Sequence, residues 1–195
     1  MRLFVLCLAL CAAAGPAAAA EKPVYKWNEA NEFYFILPAP QELRFKDADR
    51  NETVRPWGFG LRAAGAGERF SRTGALQYRT ARTDGGSAFW LLDLLVGMEY
   101  LTPQGQGPLR FSAGAFADLG LSDSTLYAAP ALAAGMLYVT DREALTPTGL
   151  TLGLVWRPAR VDIENAGAGR AAELRPALWL KAGYIFEGFW SVKEK

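Results

Sequence analysis

The 195-residue sequence contains no histidine. That absence removes the usual general base, the commonest metal ligand and the middle member of Ser/His/Asp and Cys/His arrangements. Cysteine is nearly as scarce, with Cys7 and Cys11 both inside the first eleven positions. An excess of one charge is missing too: 21 Lys+Arg stand against 20 Asp+Glu, a formal net charge of +1. No basic field gathers nucleic acid, and there is no acidic tail. Long apolar runs are also lacking after the N-terminus. Segment 88–101 is interrupted by Asp93 and Glu99, and 125–139 by Pro130 and Gly135, so neither reads as a helical membrane span. The length suits one domain with a sizeable core.

Residues 1–20 have a basic start at Arg2, an apolar stretch from Leu3 to Ala14, and an Ala-x-Ala site at Ala18 and Ala20. This is the pattern of a secretory signal peptide cleaved before Glu21. Cys7 and Cys11 follow Leu6 and Leu10, a poor fit to a lipoprotein site. Arg2 is the only charged residue removed with the signal, which leaves 20 basic and 20 acidic side chains and no thiol. An exported chain without cysteine closes its fold without disulfides.

From residue 57 onward the dominant period is two, the repeat of a β-strand. Over 108–121 one parity holds Leu109, Phe111, Ala113, Ala115, Ala117, Leu119 and Leu121, and the other Arg110, Ser112, Gly114, Phe116, Asp118 and Gly120. Segments 57–64, 88–101, 150–158 and 174–190 repeat the theme. Segments 75–82 and 126–139 do so more weakly, the first setting Leu76 and Tyr78 against Gln77 and Arg79. Turn clusters at 83–87, 102–107, 122–124 and 141–148 separate the strands. This predicts seven antiparallel strands in a meander. An eighth is expected over 33–45, where Pro38 and Pro40 call for an edge or bulge; the alternative is a segment packed beneath the sheet.

Alternation fits a soluble barrel with an apolar inside or a membrane barrel with an apolar outside. Strand length favours the second, since at least four segments reach the roughly 9 to 11 residues needed to cross a bilayer at a tilt. The less apolar parity is mostly Gly and Ala with isolated charges, which suits a cramped lumen better than a solvated face. Trp57, Tyr100, Tyr138, Trp156 and Trp190 fall near strand ends, where an interfacial girdle belongs. The charges on the inner parity are Arg62, Arg110, Arg157, Arg175 and Lys181 against Asp93, Glu99, Asp118 and Glu187. Enclosed charges must pair, so the expectation is a lumen filled by an ion-pair lattice.

In this pattern the chain resembles the small outer-membrane β-barrels of didermic bacteria, such as the eight-stranded transmembrane domain of OmpA and its OmpX-like and OmpW-like relatives. The resemblance is architectural and carries no diagnostic motif. It implies an all-β, antiparallel up-and-down transmembrane barrel of eight strands over 33–190. A polar segment, 21–32, precedes it and a tail, 191–195, follows. It also implies outer-membrane lipid and the barrel-assembly machinery as partners. Leu180, Ala182, Tyr184, Phe186 and Trp190 match the family's C-terminal signal, while the five-residue tail departs from it.

Three motifs remain. Asp47-Ala48-Asp49-Arg50-Asn51 imitates half of a calcium loop, but Glu52 and Gly58 stand where Gly and a bidentate Glu are required. Asn51-Glu52-Thr53 is a glycosylation sequon of a kind common by chance. Ser112, near Arg110 and Asp118, lacks the histidine on which the barrel enzymes rely. The sequence thus points to a non-enzymatic barrel without cofactor or metal, in a structural or surface-interaction role. With 33–45 as the first strand, its long loops 47–56 and 158–172 fall on one outward side. The alternatives are a membrane barrel that binds or passes a small hydrophobic molecule and a soluble periplasmic ligand-binding barrel.

Overall fold

The computed structural model describes residues 25–27, 29–47, 50–65, 70–103, 107–122, 125–141, 148–166, 169–187 and 192–193. The expected signal peptide and Trp190 lie outside them, and nothing is described of the Glu187 side chain. Among the described residues fourteen strands follow one another: β1 (Tyr25–Trp27), β2 (Glu29–Leu37), β3 (Gln41–Phe45), β4 (Arg50–Val54), β5 (Trp57–Gly65), β6 (Phe70–Arg82), β7 (Ala88–Leu101), β8 (Leu109–Ser122), β9 (Thr125–Asp141), β10 (Thr148–Arg157), β11 (Val161–Ile163), β12 (Ala172–Leu174), β13 (Ala177–Glu187) and β14 (Val192–Lys193). The described residues contain no helix.

Eight strands form a closed barrel, each pairing antiparallel with the next in the order β2, β5, β6, β7, β8, β9, β10 and β13, and β13 closing on β2. Closure satisfies every ladder without an edge, the condition for a sheet to cross lipid. The period-two pattern is turned outside in. Phe33, Phe35, Trp57, Phe59, Leu94, Leu119, Leu150 and Leu180 are exposed on the outer wall, and Tyr34, Gln77, Arg79, Asp93, Asp118 and Trp179 are buried inside. On β7 the outer face runs from Trp90 to Tyr100, about 25 Å along the axis at ~3.3 Å per residue and a ~40° tilt, the height of a transmembrane apolar band. The β6–β7 turn closes with Thr83 N–H donating to Ser87 O at 2.9 Å, around Gly86 at φ +79°, which a side chain would strain.

The expected strand over 33–45 divides. The barrel strand begins at Glu29, inside the segment read as a polar leader, and ends at Leu37, before Pro38 and Pro40, neither of which has an N–H to continue the ladder. Beyond the prolines, β3 and β4 form a hairpin, and β11 and β12 form another within the stretch read as a loop. The two hairpins join through Ala172↔Phe45, Glu173↔Arg44 and Leu174↔Leu43 into one four-stranded sheet. This sheet caps one end of the barrel. Its inner face, with Leu43, Phe45, Val54, Val161, Ile163 and Leu174, packs on Ala81, Phe89, Leu91 and Ala129 at the barrel rim. At the opposite end the short β1 pairs with β14, so the chain before the barrel meets the tail after it.

Candidate functional site

Small residues on the wall make room for large ones inside. A side chain at Gly60 would meet the Tyr34 ring, with a Cβ 2.4 Å from its nearest atom, and one at Gly120 would meet the Tyr127 ring at 1.9 Å. The glycine-rich parity is therefore the hollow into which Tyr34 and Tyr127 lie.

Interior side chains form layers. Nearest the uncapped end Leu137, Val139 and Ile185 make a small apolar cluster. Next comes Glu32, almost wholly buried, which accepts from Arg62 Nη1 at 3.2 Å, Lys181 Nζ at 3.0 Å and Thr151 Oγ1 at 2.6 Å. Arg62 also binds Glu99 through Nη2. An apolar layer of Tyr34, Ile36, Leu95, Val155 and Trp179, with Phe116 against it, follows. Tyr34 links the layers: its ring lies 4.7 Å from Lys181 Nζ, and its hydroxyl donates to Gln77 Oε1 at 3.2 Å.

The second polar layer centres on Asp93. Its Oδ2 accepts from Arg79 Nε at 2.7 Å and Gln77 Nε2 at 3.0 Å, and its Oδ1 accepts from the Tyr127 hydroxyl. Arg157 Nη1 donates to Asp118 Oδ2 at 3.3 Å. Trp179 lies beside both guanidinium groups, 4.3 Å from Arg79 and 5.9 Å from Arg157. The apolar cap core covers this layer. Each described carboxylate in the lumen thus faces a cation, the arrangement that lets charges persist away from water.

Of the residues expected in the lumen, Arg62, Asp93, Glu99, Asp118, Arg157 and Lys181 stand in these two layers. Arg110 is half-buried near the uncapped end; its Nε donates to Thr102 O at 2.8 Å and it makes no ion pair among the described residues. Arg175 lies between β12 and β13, outside the barrel, with Nε 3.7 Å from Glu173 and 3.9 Å from Glu42. Pro176 ends the ladder there, and parity alone does not reveal where a strand stops. Glu32 and Arg79 were missed, although both fall on the inner parity of their strands. Among the aromatics, Trp57 and Trp156 face outward at the capped end and Tyr100 and Tyr138 at the other.

The motifs lead elsewhere. Of the calcium-like stretch 47–51, residues 48 and 49 lie outside the described residues; Arg50 and Asn51 begin β4, and Glu52 is held by Arg50 at 3.2 Å and by the Asp84 N–H at 2.8 Å. Ser112 sits on β8 beside Gly135, six residues from Asp118, about 20 Å of extended strand.

A closed antiparallel barrel of eight strands, apolar outside and polar within, defines a small transmembrane β-barrel. Among solved structures the chain is similar to the outer membrane protein OprG from Pseudomonas aeruginosa, at 11% identity and a TM-score of 0.52 over 85% of this chain and 99% of that one. It is also similar to Neisserial surface protein A, at 14% identity and a TM-score of 0.49 over 83% and 97%. A third likeness is to Ail, the attachment invasion locus protein of Yersinia pestis, at 12% and 0.44 over 82% and 99%. The OprG likeness establishes the fold alone. No family model matches the sequence, and no curated protein does.

Proposed function

We propose that this chain is an exported, non-enzymatic barrel of the bacterial outer membrane, with a lumen closed by its own side chains. The surface it presents outside the cell is the cap sheet, and its role there is structural or one of surface interaction. The observation that carries this reading is the unbroken stack of interior layers, which continues from Leu137 and Ile185 through both ion-pair layers into the cap core. An eight-stranded barrel has room for little beyond side chains, and the described carboxylates there are matched by cations. The outward aromatics at both ends suit a girdle at two membrane interfaces. Outer-membrane lipid, with the assembly machinery during insertion, is the environment such a wall requires.

Passage of a small hydrophobic molecule through the lumen is the weaker reading, because the layer around Tyr34, Phe116 and Trp179 occupies its middle. A non-enzymatic role is supported by the lack of histidine in the sequence and by the engagement of each described lumen carboxylate by a cation.

The test is fractionation of cells expressing the full chain, followed by planar-bilayer recording of the purified protein. The expected result is recovery in the outer-membrane fraction, heat-modifiable migration and no steady conductance steps. A protein released without detergent by osmotic shock overturns the membrane assignment. Regular ion-conducting steps overturn the closed lumen.

A further inference from the structure

The outer wall of the barrel is uneven. On β6 to β9, Leu76, Leu92, Leu94, Leu119, Leu121 and Leu126 surround an external groove of about 520 Å³. Leu121 and Leu126 bring it up to the β8–β9 turn at the capped end, and Leu126, 80% exposed, is the most open of the large apolar side chains.

Two arginines stand above this wall. Leu92 of the groove pairs in register with Tyr78, and Arg82 lies four residues further along β6, about 13 Å of strand toward the cap. On the neighbouring β5, Trp57 pairs with Thr80, so Arg55 and Arg82 each lie two residues beyond the same pair. Both are exposed, and neither joins an ion pair among the described residues. Of the other described cations at this end, Lys46 is matched by Asp162 at 2.7 Å, Arg50 by Glu52 and Arg160 by Glu173 at 3.5 Å, while Arg170 lies over the Phe45 ring. Even with exposed Asp84 on the following turn, this part of the rim keeps a positive excess.

Unmatched arginines just above an apolar band suit phosphate, which a guanidinium holds through paired N–H donors. A leucine groove below them suits a hydrocarbon chain, whose burial is favoured in proportion to area. We propose that this face binds a phosphorylated acyl glycolipid of the outer leaflet, one chain in the leucine groove and a phosphate across Arg55 and Arg82. The assignment rests on the transmembrane reading of the barrel.

The experiment is native mass spectrometry of the refolded full chain in detergent. The probes are diphosphorylated lipid A and the same acylated disaccharide with its phosphates removed. The native chain is expected to retain the phosphorylated lipid about 30-fold more tightly, from roughly 1 kcal/mol per arginine at an anionic surface and ~1.4 kcal/mol per factor of ten. Arg55→Gln with Arg82→Gln brings the phosphorylated lipid down to the level of the other. Leu121→Ala with Leu126→Ala weakens retention of both. Equal retention of the two lipids by the native chain overturns the proposal, as does a double-glutamine variant that still prefers the phosphorylated one. If that variant fails to show heat-modifiable migration, the native chain's preference between the lipids decides. A chain soluble without detergent refutes the membrane reading instead.

Discussion

Replacing Asp93 by leucine tests whether the second polar layer behaves as a coupled unit. Asp93 and Arg79 have side chains 0% and 1% exposed and meet at 2.7 Å. The substitution strips Arg79 of its carboxylate and leaves two cations, Arg79 and Arg157, to share Asp118. Removing one partner of a buried pair costs about 3 to 5 kcal/mol, whereas replacing both by apolar groups of similar volume is close to neutral. The double change Arg79→Met with Asp93→Leu still costs something. The Tyr127 hydroxyl and the Gln77 amide lose an acceptor, about 1 kcal/mol each, and Trp179 loses a cation about 4 Å away, worth ~0.5 to 2 kcal/mol. The two acceptor losses are common to both variants, so Asp93→Leu is expected to lose about 5 to 7 kcal/mol and the double variant roughly 2.5 to 4. The measurement is urea unfolding of protein reconstituted in phospholipid vesicles, read from the heat-modifiable band and tryptophan emission. A double variant less stable than Asp93→Leu would show that the two charges do not depend on each other, and the layered account of the lumen would fall.

Three further outcomes follow from the geometry. Leu94→Arg places a charge on the lipid-facing wall opposite Leu76 and Leu119 and is expected to cost about 2 to 4 kcal/mol in bilayers; a negligible change in the same urea assay means that the two faces are reversed. Gly120→Ala drives a methyl into the Tyr127 ring and should lose about 1 to 3 kcal/mol as an overpacked site; a thermal midpoint unchanged from the native chain contradicts that packing. Leu43→Asp puts an unpaired carboxylate into the cap core, where Leu43 is 0% exposed. Trypsin is then expected to cut the freed hairpin at Arg44, Lys46 or Arg50 while the barrel band stays heat-modifiable. Loss of both together would mean that cap and barrel fold as one unit.

Periodicity made the outer wall readable because lipid imposes one rule on every outward position: Phe33, Leu94, Leu119 and Leu180 all obey it. Inside, no such rule holds. Tyr34, Leu95, Phe116 and Trp179 share the inner parity with Asp93 and Arg157, because an interior position is chosen by what lies across the lumen, on a strand remote in sequence. Glu32 reaches Lys181, 149 residues away, and Thr151, 119 residues away. In the sequence its strand reads as opening only at Phe33 because Asn31 and Glu32 are polar, yet a buried glutamate is stable where Arg62 and Lys181 await it. The cap is hidden in the sequence for a different reason. β11 and β12 are three residues each, too short for alternation to register, and what holds them is β3, more than a hundred residues upstream. A stretch such as 158–172 thus looks like a polar loop until the partner hairpin supplies Leu43 and Phe45 for Val161, Ile163 and Leu174 to bury. The same dependence explains why Arg175 was misplaced. It has the parity of Lys181, but Pro176 ends the barrel ladder between them, and Glu42 and Glu173 of the cap are the charges it faces.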